Sequence, residues 1–181
     1  YGNLYPSLQT RQRISNYMQQ SHQQKVSTRT IEIPNAVLIP EIIKYLEQGH
    51  TVTLPLKGFS MSPFLESNRD LALLIRPKNV KVGDPVLAEI APKHFVLHRI
   101  IDIKGDQVTL LGDGNQTTEH CLTTDIKASV EGFYRKGRKK MDGTDGLKWK
   151  LYSFLWMKLR PLRRWLLAFY RRIWIPVFGI I

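Results

Sequence analysis

The chain has 181 residues, a formal net charge of +12 and a single cysteine, Cys121. That length holds one domain with a real core rather than two of ordinary size, and one thiol excludes an internal disulfide. A zinc site would have to be assembled from histidines and carboxylates alone, so neither a metal nor another cofactor is expected.

Residues 1–30, rich in Gln, Ser, Thr and Arg, read as a flexible N-terminal arm. Val37, Leu38, Glu41, Ile42, Tyr45 and Leu46 then fit a short amphipathic helix, with Asn35 as its cap and Gly49 as its end. From there the period becomes strand-like. Thr51–Leu56 is a β-prone run, Leu71–Ile75 a buried strand closed by Pro77, and Val86–Ile90 a strand after the Val82-Gly83-Asp84-Pro85 turn. Phe95–Ile103 and Gln107–Leu111 pair as a hairpin about Lys104-Gly105-Asp106, Gly112–Asn115 makes a second turn, and Ile126–Tyr134 is the last strand. The expected fold is mainly β, a folded sheet or open barrel with one front helix. The body spans residues 31–135, and the polar, glycine-rich stretch 136–146 reads as a linker to a tail of different composition, 147–181.

The candidate chemistry starts at Gly58-Phe59-Ser60-Met61-Ser62-Pro63, where a strand-forming run ends on a glycine and a stiff turn. Serine is a poor nucleophile until a neighbouring base takes its proton. Of the five histidines, His22 lies in the arm, His50 at a helix end and His120 after a polar loop, which leaves His94 and His98 in the strand region. His98 is framed by Val96-Leu97 and Ile100-Ile101 and needs a polar reason to be there; His94, beside Pro92 and Lys93, fits a turn. Cys121 reads as a small, partly buried side chain.

In order, Gly58–Pro63, Asp70-Leu71-Ala72-Leu73, Val82-Gly83-Asp84-Pro85-Val86-Leu87, Leu97-His98-Arg99-Ile100 and Leu111-Gly112-Asp113-Gly114-Asn115 resemble the ordered boxes of type I signal peptidases and their relatives. The resemblance covers roughly residues 50–135. Where bacterial members carry a lysine before the arginine of the fourth box, this chain has His98, as in the archaeal and endoplasmic-reticulum branch. The resemblance implies a signal-peptidase-like, mostly β fold and a Ser-His endopeptidase acting on peptide or precursor-protein substrates. In it Ser60 is the nucleophile and its backbone N–H an oxyanion donor, His98 is the general base, and Asp113 orients the imidazole, with Asp125 as runner-up. Activity should rise as an imidazole loses its proton, well below the range in which a lysine would act. Two departures stand out: Gly58 replaces the serine that bacterial relatives use as a second oxyanion donor, and Gly114-Asn115 replaces an Asn-Asn pair. An autoproteolytic regulator of the same superfamily, or a non-catalytic membrane-binding protein that kept the fold, are the alternatives.

Type I signal peptidases usually begin with a membrane-spanning helix, and residues 1–50 lack the run of about twenty apolar residues it needs, so an anchor is expected elsewhere. Residues 147–181 carry eight Lys or Arg, no Asp or Glu, and all four tryptophans. Aromatic rings mixed with cations suit an interfacial helix on an anionic membrane surface, so peripheral attachment through this tail is expected. Its contact residues would be Trp149, Trp156, Arg163, Arg164, Trp165, Arg171, Arg172 and Trp174, with Pro161 dividing two helical pieces and Pro176 ending the second. Nucleic acid is disfavoured because the body offers no basic reading surface.

Overall fold

The structure, a computed structural model, describes residues 33–179; the predicted arm, His22 included, and the last two residues of the tail lie outside the described residues. Helix α1, Asn35–Glu47, buries Ile39, Ile42 and Leu46, the stripe its periodicity predicts. Asn35 lies inside the helix: the capping position is Pro34, which has no side-chain donor or acceptor to offer. Gly49 reverses the chain at φ 85°, a left-handed conformation that glycine adopts without steric penalty.

An antiparallel sheet of eight strands follows: β1 Val52–Pro55, β2 Leu71–Ile75, β3 Pro85–Ala91, β4 His94–Lys104, β5 Gln107–Leu111, β6 Glu119–Leu122, β7 Ile126–Tyr134 and β8 Asp142–Gly143. The main path runs β1-β2-β7-β3-β4-β5-β6, with β8 paired to β7, so β1 and β6 are its edges. Alternation decides the burial of β2, whose Ala72 and Leu74 point inward between half-buried neighbours. Register shifts in the β2–β7, β3–β7, β3–β4 and β4–β5 pairs break the regular ladder. The core is divided. One cluster packs α1 and Met61 and Leu65 against Leu74, Val130 and Phe133. The other gathers Val86, Ala88, Ile100, Val108 and Leu110.

The stretch 136–146 is tied to the sheet rather than free of it. β8 pairs with Gly132 and Phe133, the Thr144 hydroxyl donates to the Val130 and Glu131 carbonyls, and Asp142 pairs with Arg138 and Lys148.

The tail consists of α2 Leu147–Lys158, a 3-10 turn Arg160–Leu162, α3 Arg163–Phe169, a π turn Tyr170–Trp174 and α4 Ile175–Phe178. Pro161 falls in the dividing turn, as the sequence predicts. Pro176 does not stop a helix: Trp174 and Ile175 keep helical dihedrals, and the proline falls in the first turn of α4 directly after the π turn. The inner face of α2, Trp149, Ser153 and Trp156, repeats at helical spacing and is buried, and Trp149 belongs to the first core cluster, against Phe133 and Phe64. Trp149 and Trp156, at 3% and 9% exposure, and Arg163, at 3%, are therefore removed from the expected lipid-contact set: side chains covered by the body cannot touch a bilayer. Arg164, Trp165, Arg171 and Arg172 are exposed and Trp174 is half-buried. No helix among the described residues is long and apolar enough to cross a membrane.

Candidate active site

Ser60 lies half-buried in the loop between β1 and β2. The loop is held from both ends: the Gly58 N–H donates to Ser67 Oγ, and Met61 and Leu65 are anchored in the core. Gly58 itself has φ 85°, which lets the chain turn sharply just before the serine. Ser62 is buried and its hydroxyl donates to the Leu65 carbonyl, which leaves Ser60 as the serine of this loop with a hydroxyl free of protein partners among the described residues.

His98 sits in the middle of β4, opposite Val86 of β3, and is 3% exposed. Its Nδ1 stands 2.5 Å from Glu119 Oε2, the first residue of edge strand β6. Register explains the meeting: Ile100 of β4 faces Leu110 of β5, and Leu110 faces Glu119 of β6. A carboxylate on Nδ1 fixes the neutral ring with its proton on that nitrogen and leaves Nε2 as a bare lone pair. Nε2 faces Gly112. A Cβ placed on Gly112 would stand 3.0 Å from His98 Nε2 and 2.5 Å from the Ser60 carbonyl oxygen, so the imidazole and the serine's backbone are separated by no more than the sum of those distances. The Gly114 N–H donates to that same carbonyl at 2.8 Å, and a Cβ on Gly114 would run into the Phe59 carbonyl. Neither glycine needs a left-handed φ. Both are there for close approach, seating the turn between strand and serine loop.

Asp113, between them, does not meet His98. Its carboxylate accepts from Arg99 Nε at 2.9 Å and Nη2 at 2.6 Å and from the Tyr152 hydroxyl at 3.0 Å, and both members of the ion pair are fully buried. The predicted orienting role is corrected accordingly. A buried guanidinium needs a bidentate partner, and Asp113 is that partner. Arg99 also donates to the Gly83 carbonyl and to Ser153 Oγ and lies 4.7 Å from the Trp149 ring. Burial is the largest single influence on the Arg99 guanidinium and would lower its pKa, but the Asp113 charge and hydrogen bonds, with Tyr152 and Asp84 adding to them, together outweigh it and hold it above its usual range. Burial, with the same carboxylate adding to it, pushes the Tyr152 phenol well above its usual range, so it stays a donor. Asp125 is likewise absent from the His98 site, its carboxylate accepting from the Leu122 N–H.

Among the remaining histidines, His94 is exposed, and His120 approaches Thr109 Oγ1 at 3.3 Å on the surface. No cluster of metal-ligating side chains occurs among the described residues. Sequence reading missed Glu119, which follows the polar run Gln116-Thr117-Thr118; its signal is weak, a carboxylate opening a four-residue strand. No model of a known protein family matches the chain, and no curated protein sequence does.

Proposed function

We propose that this chain is a serine endopeptidase of the signal-peptidase kind, with Ser60 as nucleophile, His98 as general base and Glu119 as the carboxylate that orients it. One observation carries the reading: a buried histidine has a carboxylate on Nδ1 and directs its free Nε2 at a glycine that also touches the serine loop. In the reaction Ser60 Oγ attacks the scissile carbonyl while His98 Nε2 takes the hydroxyl proton, and the Glu119 charge stabilises the imidazolium that forms. When the C–N bond breaks, that proton passes to the leaving amine. Water, deprotonated by His98, then attacks the acyl-enzyme, releasing the new carboxyl end and restoring the serine. The Ser60 N–H donates to no carbonyl or side chain among the described residues, which suits it to the developing oxyanion. β1 is a sheet edge that leads toward Ser60, a place for an extended substrate to add as a strand.

The substrates proposed are leader or signal segments of precursors presented at an anionic membrane surface. Support comes from the outer faces of the tail. Leu151, Phe154 and Leu155 on α2, and Leu162, Trp165, Phe169 and Ile173 beyond it, recur at helical spacing opposite the buried stripes and are all exposed, with Lys158, Arg160, Arg164 and Arg172 among them. Trp165 is 73% exposed. A helix apolar on both sides needs a second cover, and interspersed cations match anionic headgroups.

The activity is tested by incubating the full chain with a leader-bearing precursor and comparing wild type, Ser60→Ala, His98→Ala and Glu119→Gln. Loss of cleavage in the first two and a partial loss in the third supports the proposal, and retained cleavage in Ser60→Ala rejects it. Self-cleavage without cleavage in trans would favour an autoproteolytic regulator. Lipid contact is tested by vesicle flotation of wild type against Trp165→Ser/Phe169→Ser/Ile173→Ser on phosphatidylglycerol-containing vesicles. Equal flotation of the two would reject it.

A further inference from the structure

Three successive carbonyls of the glycine turn face the C-terminal helices, and each accepts a hydrogen bond from a different part of them. Arg163 Nη1, at the start of α3, donates to Gly112 O at 3.3 Å. Trp156 Nε1, on α2, donates to Asp113 O at 3.1 Å, and Arg171 Nη2, in the π turn, donates to Gly114 O at 3.3 Å. On its other side the same tripeptide touches the catalytic groups: Gly114 N–H holds the Ser60 carbonyl, and Gly112 lies against His98 Nε2.

Two glycines in three residues give this backbone high intrinsic freedom, and the Asp113 carboxylate, held by Arg99 and Tyr152, is its one packed side chain. Its position must be imposed from outside. Gly112 and Asp113 are buried and their carbonyls cannot turn to bulk water; Gly112 O closes the turn with the Asn115 N–H, and the donors from the helices add a second bond there, supply the Asp113 carbonyl's partner and fix where both point. The donors are themselves held. Arg163 is 3% exposed and its guanidinium lies 5.4 Å from the Trp156 ring, while Trp156 stacks on Tyr152, whose hydroxyl reaches Asp113. Tyr170, one residue before Arg171, is pinned by its hydroxyl to Glu66, in the segment that follows the serine loop.

We infer that the C-terminal helices are a clamp on the catalytic centre, with Trp156, Arg163 and Arg171 as positioning residues that hold the 112–114 turn against Ser60 and His98. The inference rests on the peptidase reading for its catalytic consequence, but its structural content can be measured apart from activity. It also gives the helices two tasks on two faces, the inner one serving the turn and the outer one the surface described above.

The test uses the full chain carrying Trp156→Phe, which removes the Nε1–H and keeps a ring to stack on Tyr152, and separately Arg163→Met with Arg163→Lys as its conservative partner. Two quantities are read: kcat and KM on a leader-bearing precursor, and hydrogen exchange at the Gly114 and Asn115 amides, which bond to Ser60 O and Gly112 O. The expected result is a kcat lower by roughly ten- to a hundredfold with KM changed less than about twofold. Faster exchange should be confined to residues 112–115, and Arg163→Lys should recover part of the loss. Unchanged exchange at Gly114 with unchanged kcat overturns the clamp. So does exchange accelerated equally across β2 and β7, which would mean that the helices only cover the core. If wild type and Ser60→Ala are equally inert toward every precursor, the peptidase reading falls while the exchange data still decide whether the helices hold the turn.

Discussion

Replacing Asp113 separates a catalytic from an architectural role for the one acidic residue in the glycine turn. In Asp113→Ala the Arg99 guanidinium, with no solvent exposure, loses its bidentate partner, and the Tyr152 hydroxyl loses its acceptor. Breaking a buried ion pair from one side destabilises by about 3 to 5 kcal/mol, and the orphaned phenol adds about 1 kcal/mol. Against a total stability of about 5 to 15 kcal/mol this removes a large share, and the midpoint of thermal unfolding should fall by roughly 10 °C or more. Asp113→Asn should do nearly as much harm, since an amide can oppose only one arm of the fork and carries no charge. Urea unfolding followed by tryptophan fluorescence gives the stability, and precursor cleavage in the folded fraction gives the activity. If Asp113→Asn unfolds with wild-type stability but cleaves a thousandfold more slowly, the assignment of Asp113 to Arg99 is wrong and the residue serves the histidine instead.

Three further outcomes follow from the same geometry. Glu119→Gln keeps an acceptor for His98 Nδ1–H but loses the charge that stabilises the imidazolium, so kcat should fall about 10²- to 10⁴-fold with the unfolding curve unmoved, its side chain being a quarter exposed. Gly112→Ala sets a methyl 2.5 Å from the Ser60 carbonyl and 3.0 Å from His98 Nε2; it should abolish cleavage and lower stability by about 1 to 3 kcal/mol, checked by the same two assays. Asp70 is buried: desolvation raises its pKa, but the bonds from Arg69 and the Glu66 N–H outweigh that and hold it below the usual carboxylate range. A lowered folded-state value contributes stability above the unfolded-state value, lost as pH falls from about 4 through the folded one, so Asp70→Asn should flatten the acid limb of a stability–pH curve.

The strands were legible where local pattern and burial agree. Leu71–Ile75, Gln107–Leu111 and Ile126–Tyr134 have the bounds that their apolar runs and turn residues predict. Ser60 and His98 could be singled out because each breaks its surroundings, one as a serine on a stiff turn and the other as an imidazole among aliphatics. Glu119 could not, because its meeting with His98 depends on the register of three strands, and no local spacing encodes that. The tail was misread in part for a related reason. Aromatic and basic composition does not say which face is inside. The spacing Trp149, Ser153, Trp156 carried the missing clue: a small polar residue between two tryptophans on one stripe is where Arg99 enters. Residues 136–146 have the composition of a linker, yet Asp142 and Thr144 find partners on β7 and its neighbours, which composition cannot reveal.

Because Trp149 belongs to the core and three donors reach the glycine turn, deleting residues 147–181 would dismantle the body along with the tail. Point substitutions on the outer face are therefore the informative way to ask about the membrane, and the catalytic claim is best read from the serine itself. The most direct measurement is the site and rate of covalent labelling by a peptidyl fluorophosphonate, followed by mass spectrometry of the intact full chain and its peptides. One adduct is expected, on Ser60, formed more than about a hundredfold more slowly in His98→Ala. Labelling at another residue, or at Ser60 with the same rate when the imidazole is gone, would contradict the catalytic claim.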